Sequence, residues 1–440
     1  MNRTPPGKRE MLLPPLWDHH GHLSALGALS EELDLRDSLS PSDLLRRIEV
    51  RASKTEPGEW ITGFGWDQNL WKGEMPSPSE TEKAACGHPL FIRRIDCHAA
   101  MANVTALRLA GLDESSGITG GKLESKNGRW TGVAVDKAME PFTRAMAEPP
   151  KSVVRRRMLK AFQTLRTFGL SGATDMQLRD GEISVLEEMD SRGEMDFSVV
   201  GYKEWAPGKD LPRKFYRGRR FVLEGLKVFL DGALGSRGAA LRRPYTDDRE
   251  NLGILLLGRR EILCLLDEAS GKKVPLAFHA IGDRALDELL RACESLRKPL
   301  PGIRVEHLQV TPPGMPERLA ATGATLSLQP CHLLSDRGWA GERLGSARIR
   351  HSYLLRSLIR RKRYLLGTDF PIEPPDPLRT IAASLSRGGG ENLTLGETLK
   401  GMACPSRFRR YGSPVRLKGF RPETSGVSGE HLRWELSFDE

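Results

Sequence analysis

The chain has 440 residues, 39% of them hydrophobic and 28% charged, which is the composition of an ordinary globular protein with room for one large domain plus additions. Its net charge of +10 comes from basic residues scattered in runs such as Arg155-Arg156-Arg157 and Arg360-Arg361-Lys362-Arg363; no nucleic-acid-binding signature accompanies them, so solvated surface charge is expected rather than a polyanion partner. The six cysteines form no C-x-x-C pair, which argues against a zinc ribbon or disulfide framework, and no apolar run reaches signal-peptide or membrane-span length, so a cytoplasmic protein with no membrane partner is expected.

In chain order, the first element is LWDHHGH (16–22), read as a strand that opens the domain within residues 11–46. Residues of about 47–150 then interrupt the pattern with GEWITGFGWDQNLW, PLFIRRIDCHAAMANVTALRLAG and GRWTGVAVDKAM. That stretch is too long for a simple connection, so it is read as an inserted subdomain that contacts substrate. From 151 to 400, short apolar runs alternate with helix-like stretches. The runs are GLSGATDM, DFSVVGY, LKVFLDG, VPLAFHAIGD, IRVEHLQ, ATLSLQP and YLLGTDFP. With the first strand they make eight, which suggests a (β/α)8 barrel with its reactive residues at the C-terminal strand ends; a doubly wound open sheet is the alternative. Residues 401–440, rich in Arg, Gly, Pro and Ser, read as an atypical tail.

The polar residues fall where a barrel needs them. Side chains alternate along a strand, so His20 and His22 share a face and can chelate one ion, with His19 pointing away. An H-x-H pair alone is a weak signal. His279 in VPLAFH, His307 closing IRVEH and Asp369 closing LLGTD add the donor types that suit zinc or a similar divalent ion. Lys227 lies inside the apolar run LKVFLDG and must either pair with a carboxylate such as Asp231 or Asp369, or react with CO2 to become an anionic carbamate ligand. Trp66, Trp71 and Trp339 are candidates for a pocket wall, with the core of the insert as the alternative.

The motifs DHHGHL, LKVFLDGALGSRGAAL, FHAIGDRA, RVEHLQ and GTDFPIEPPDPL, in this order, resemble the amidohydrolase superfamily and its family 3 branch of metal-dependent hydrolases, from about residue 11 to 400. The resemblance implies a barrel holding one or two divalent ions, most simply zinc. His20, His22, Lys227, His279, His307 and Asp369 match its ligands, with Lys227 carboxylated in binuclear members. It further implies that Asp369 shuttles the proton of the hydrolytic water, that the second metal or His307 polarises the scissile carbonyl, and that His98 faces substrate. Arg237 and Arg284 could hold an anionic substrate group, or pair with Asp231 or Asp283 instead.

The expected function is hydrolysis of a non-peptide C–N bond in a small amide. The alternatives are a mononuclear deaminase of a heterocyclic amine, a non-catalytic decayed barrel and, on charge alone, a nucleic-acid binder. Family members also carry a β-sandwich built from both chain ends. Only about ten residues precede LLPPLWDHHGH, so that sandwich is expected to be reduced or absent. The barrel flank would then be exposed, covered by the tail, or paired in a homo-oligomer.

Overall fold

A computed structural model describes residues 10–29, 31–71, 75–113, 116–118, 120–146, 148–300, 302–360, 363–418 and 435–438. Arg361 and Lys362 of the basic run, and residues 419–434 of the tail, lie outside the described residues.

Eight parallel strands pair in sequence order: Leu16–Gly21, Leu170–Leu178, Ser198–Glu204, Phe221–Phe229, Leu276–Ala280, Ile303–His307, Thr325–Leu328 and Tyr364–Leu366. Nearly every position of the fourth, fifth and sixth of these strands is buried, as expected for strands covered on both faces. The eighth strand meets the first through a parallel bridge between Phe370 and Gly21. There the Asp369 N–H donates to the His20 carbonyl at 2.7 Å and the His22 N–H to the Phe370 carbonyl at 2.8 Å. The sheet therefore closes into the expected (β/α)8 barrel.

Helices Lys151–Thr167, Asp180–Ser191, Arg259–Lys272, Asp283–Ser295, Met315–Thr322 and Pro377–Leu385 bury one face against the barrel. Residues 352–361, SYLLRSLIRR, are one of the helix-like stretches of the sequence, but among the described residues of it only Arg356–Ile359 are helical. Tyr353 within it has φ of 52° and so cannot sit in a right-handed helix.

The insert builds its own mixed six-stranded sheet, in the order Leu33–Asp34, Ile61–Trp66, Leu90–Arg94, Ala99–Ala102, Arg129–Asp136 and Gly121–Lys126. The sheet begins at Leu33, earlier than residue 47, because a two-residue strand is too short to show a period in the sequence. Helix Pro41–Ala52, capped by the Ser40 hydroxyl accepting from the Asp43 N–H at 3.1 Å, therefore belongs to the insert. Two separate apolar clusters fill it, one around Trp66 and Leu44, the other around Phe91 and Phe142.

Segments from the first and last parts of the described chain pair. Strand Glu10–Leu13 pairs antiparallel with Val415–Lys418, which in turn pairs with Glu435–Phe438. Among the described residues, three four-residue strands stand where the sandwich was expected, and the N-terminal segment supplies one of them. Just before this sheet, the turn Ser406–Tyr411 packs Phe408 on Trp17, ring centroids 5.2 Å apart, at the N-terminal end of the barrel. Among the described residues no helix is long and apolar enough to cross a membrane.

Candidate metal centre

The C-terminal mouth of the barrel carries a row of imidazoles. Ring centroids are 5.9 Å apart for His22 and His20, 4.7 Å for His20 and His307, 4.5 Å for His307 and His279, and 5.6 Å for His279 and His98. Asp369 lies against this row. Its Oδ1 is 3.0 Å from His22 Nε2 and 3.4 Å from His20 Nε2, and its Oδ2 is 3.3 Å from His332 Nε2 and 3.9 Å from His307 Nδ1. All but His22 and His98 are buried. Two sets of three donors result: His20, His22 and Asp369, and His307, His332 and Asp369.

Strand geometry accounts for the first set. Alternation puts His20 and His22 on one face, while His19 turns away to the Ala403 carbonyl at 3.1 Å. Asp369 follows the eighth strand with φ of 65°, and His307 ends the sixth with φ of 72°. Left-handed backbone at non-glycine positions is strained, and here it aims both side chains into the mouth.

Buried carboxylates orient the rings. Glu306, 0% exposed, accepts from His20 Nδ1 at 2.6 Å and from Arg304 Nε at 2.5 Å. That leaves His20 Nε2 buried without a hydrogen-bond partner, as is His307 Nδ1. Buried polar nitrogens are rarely left unpaired, so these two fit metal ligands. On the other side Asp18 accepts from the backbone N–H groups of His20 and Thr368 at 3.0 and 3.1 Å, and from the Thr368 hydroxyl at 2.7 Å, fixing the seam.

Burial drives the titrations. It lowers His20 to about 4, with the Lys227 charge adding to the effect, and pushes His279 and His307 well below the usual histidine range. These rings are therefore neutral, the form that ligates metal. Burial alone would raise Asp369, but His20, His22 and His332 outweigh it and hold the carboxyl well below its ordinary value. Lys227, 1% exposed, is lowered by burial to about 8, against the pull of Glu306 and Asp369.

Several candidates lie elsewhere. Trp66 is no pocket wall: it is 1% exposed in the insert core, stacked on Trp71 and donating its indole N–H to the Ile92 carbonyl at 2.8 Å, so no ring face is left for a ligand. Trp339 does reach the rim, packed against Gly235 beside Asp96 of the insert. Arg237 pairs with Asp247 at 3.0 Å rather than with Asp231, whose carboxylate is taken by the Ala240, Ile281 and Gly282 N–H groups. Arg284 sits half-buried in the first turn of helix Asp283–Ser295, its backbone N–H donating to the Ala240 carbonyl at 3.0 Å. His98 is held at the mouth by Asp136, with Nδ1 2.8 Å from its Oδ1. Sequence reasoning missed His332, at the head of helix His332–Asp336, and Glu306. The signal for His332 was its place just past the seventh strand, in SLQPCH.

The chain matches the model of the amidohydrolase family over residues 9–404. It is 28% identical over 401 residues to Protein LONG AFTER FAR-RED 3 of Arabidopsis thaliana, covering 86% of this chain and 69% of that protein. To the N-substituted formamide deformylase of Arthrobacter pascens it is 24% identical, covering 72% of this chain and 62% of the relative. Among solved structures, an uncharacterized metal-dependent hydrolase from Pyrococcus horikoshii OT3 superposes with a TM-score of 0.68 at 29% identity, covering 92% of this chain and 80% of that one.

Proposed function

Because the chain belongs to the amidohydrolase family, we propose that it hydrolyses a non-peptide carbon–nitrogen bond in a small amide, using water activated at a divalent metal centre. The observation that carries this reading is the Asp369 carboxylate, set within 3.0–3.9 Å of four ring nitrogens, two of them on rings whose other nitrogen faces a buried glutamate. His20, His22, His279, His307 and Asp369, with Lys227 as its carbamate, would hold the ion, and this N/O donor set suits zinc. Such an ion supplies Lewis acidity, bringing the ionisation of water near neutral pH and polarising the scissile carbonyl.

The chain's own groups do the rest. Asp369, ionised at neutral pH, takes the proton of the attacking water on a carboxylate oxygen and delivers it to the leaving nitrogen. His98 has Nδ1 committed to Asp136 and offers Nε2 to substrate. Lys227 is shifted towards the neutral amine, the form that adds CO2 and releases a proton to give a carbamate. Arg284 is the candidate for an anionic substrate group.

The test is turnover on a panel of N-substituted amides with gently purified protein. Loss of activity to a chelator and recovery with zinc are expected, as is a fall of orders of magnitude in Asp369→Asn and His279→Ala with circular dichroism unchanged. Turnover undiminished in either variant, on a verified substrate, would overturn the reading.

A further inference from the structure

We propose that Arg94 and Asp96 of the insert, beside Trp339, form a recognition subsite for a carboxamide or ureido group of the substrate, separate from the bond that is cut. That the group belongs to a substrate rests on the hydrolase reading above; the subsite itself rests on side chains away from the metal centre.

The hairpin of strands Leu90–Arg94 and Ala99–Ala102 turns its tip towards the barrel mouth, for His98 at that tip has its ring 5.6 Å from the ring of His279. Arg94 leads into the tip and Asp96 lies within it. The Arg94 guanidinium is 3% exposed, 3.4 Å from Asp96 and 3.6 Å from Asp67, which follows the neighbouring strand Ile61–Trp66. Both distances lie beyond the usual range of an N–H···O bond, so the charges meet while hydrogen-bonding capacity stays unused. Arg94 Nε and Asp96 Oδ2 are buried without a hydrogen-bond partner, whereas Asp96 Oδ1 accepts from the His98 N–H at 3.1 Å. Buried polar atoms are rarely left unpaired. A donor and an acceptor left so on neighbouring side chains fit a ligand group that accepts from one and donates to the other.

Charge decides which group. Asp96 Oδ2 and the edge of the Trp339 ring meet at Gly235, where a Cβ would stand 3.3 Å from each. Arg343 lies over that ring, 5.7 Å from its centroid, and shares Asp247 with Arg237. Three guanidiniums thus accompany three carboxylates, Asp67, Asp96 and Asp247. A carboxylate or ammonium ligand would add an uncompensated charge to a largely buried site, which is costly. A neutral carboxamide or urea adds none, and its C=O and N–H match Arg94 and Asp96. Both protein groups are ionised, which makes each such hydrogen bond a strong one. The half-buried indole supplies apolar contact beside them.

The test uses three probes of one shape, phenylacetamide, phenylacetate and phenethylammonium, titrated calorimetrically against the zinc-loaded parent and against Asp369→Asn, which loses any probe held by the metal centre. The carboxamide is expected to bind both proteins equally and, in Asp369→Asn, about tenfold or more tightly than either charged probe. Asp96→Ala should weaken it by about tenfold or more, the loss of one hydrogen bond to a charged group. Asp96→Asn removes one negative charge and should turn the preference to phenylacetate, a reversal that a merely structural aspartate would not produce. It also decides the matter if Asp96→Ala does not fold. Three results overturn the proposal: carboxamide affinity unchanged in the folded Asp96 variants, carboxamide binding lost in Asp369→Asn, or a preference for a charged probe that persists in Asp369→Asn. Turnover of the amide panel alongside any of these leaves the proposed function standing. No turnover alongside the expected binding pattern sinks that function and leaves a carboxamide-binding site.

Discussion

Replacing Glu306 by alanine probes the centre from beneath. Glu306 is fully buried and joins Arg304 at 2.5 Å to His20 at 2.6 Å. Arg304 also donates to the Ser327 hydroxyl at 2.9 Å and lies over the Tyr202 ring, but no other carboxylate is paired with it among the described residues. Removing Glu306 leaves a buried guanidinium uncompensated, which costs about 3–5 kcal/mol. It also frees His20 to rotate and to change tautomer, which weakens metal binding by about 10- to 100-fold. The assays are the urea midpoint of the metal-free protein and the zinc dissociation constant. Arg304→Met combined with Glu306→Gln removes the charge from both partners and should recover most of the stability but not the affinity. The pH dependence has a definite sign. Burial pushes the Glu306 carboxyl up, but Arg304 and His20 pull it further down, so its folded pKa lies below the ordinary 4.5. The stabilisation is therefore fully present above that value and is lost as pH falls below it. A Glu306→Ala protein matching the parent in both midpoint and zinc affinity would refute the argument.

Lys227→Met should stabilise the metal-free protein at neutral pH. Burial lowers the lysine from 10.5 to about 8, so the unfolded chain holds the extra proton between these values and the parent gains stability as pH rises across them. The advantage of the variant, read from urea midpoints, should shrink over that window. Asp18→Ala leaves three buried donors of His20 and Thr368 unpaired, at about 1–3 kcal/mol each, and should weaken zinc binding although Asp18 is no ligand. Phe408→Ala removes a buried ring stacked on Trp17 and should cost about 3–5 kcal/mol in chemical denaturation while leaving the metal count unchanged.

The barrel was legible because the buried parallel strands read as largely apolar runs, and the first and sixth ended in histidines that now surround Asp369. His20 and His22 were legible because a two-residue period puts them on one face. That same period hid Glu306. Neighbours on a strand should face opposite sides, yet Glu306 and His307 both serve the centre, because His307 adopts φ of 72°. His332 lies on a helical turn after the seventh strand, where alternation has no say. The Arg237 partner, Asp247, sits in a long irregular loop with no period to place it. Trp66 read equally as pocket or core, since an aromatic residue in an apolar run suits both.

The seam between the last strand and the first has a consequence for how the protein is made. His22 and Asp369 are separated by 347 residues. At a synthesis rate of about 5–20 residues per second, the histidine pair waits roughly 17–70 s for its carboxylate. The insert, with two apolar clusters of its own, can fold in that interval. The centre cannot, because Asp369 and the Phe370 bridge that closes the barrel emerge together. Assembly of this mouth therefore waits for residues 369 and 370, and a ribosome stalled before them would display the insert but not the closed barrel.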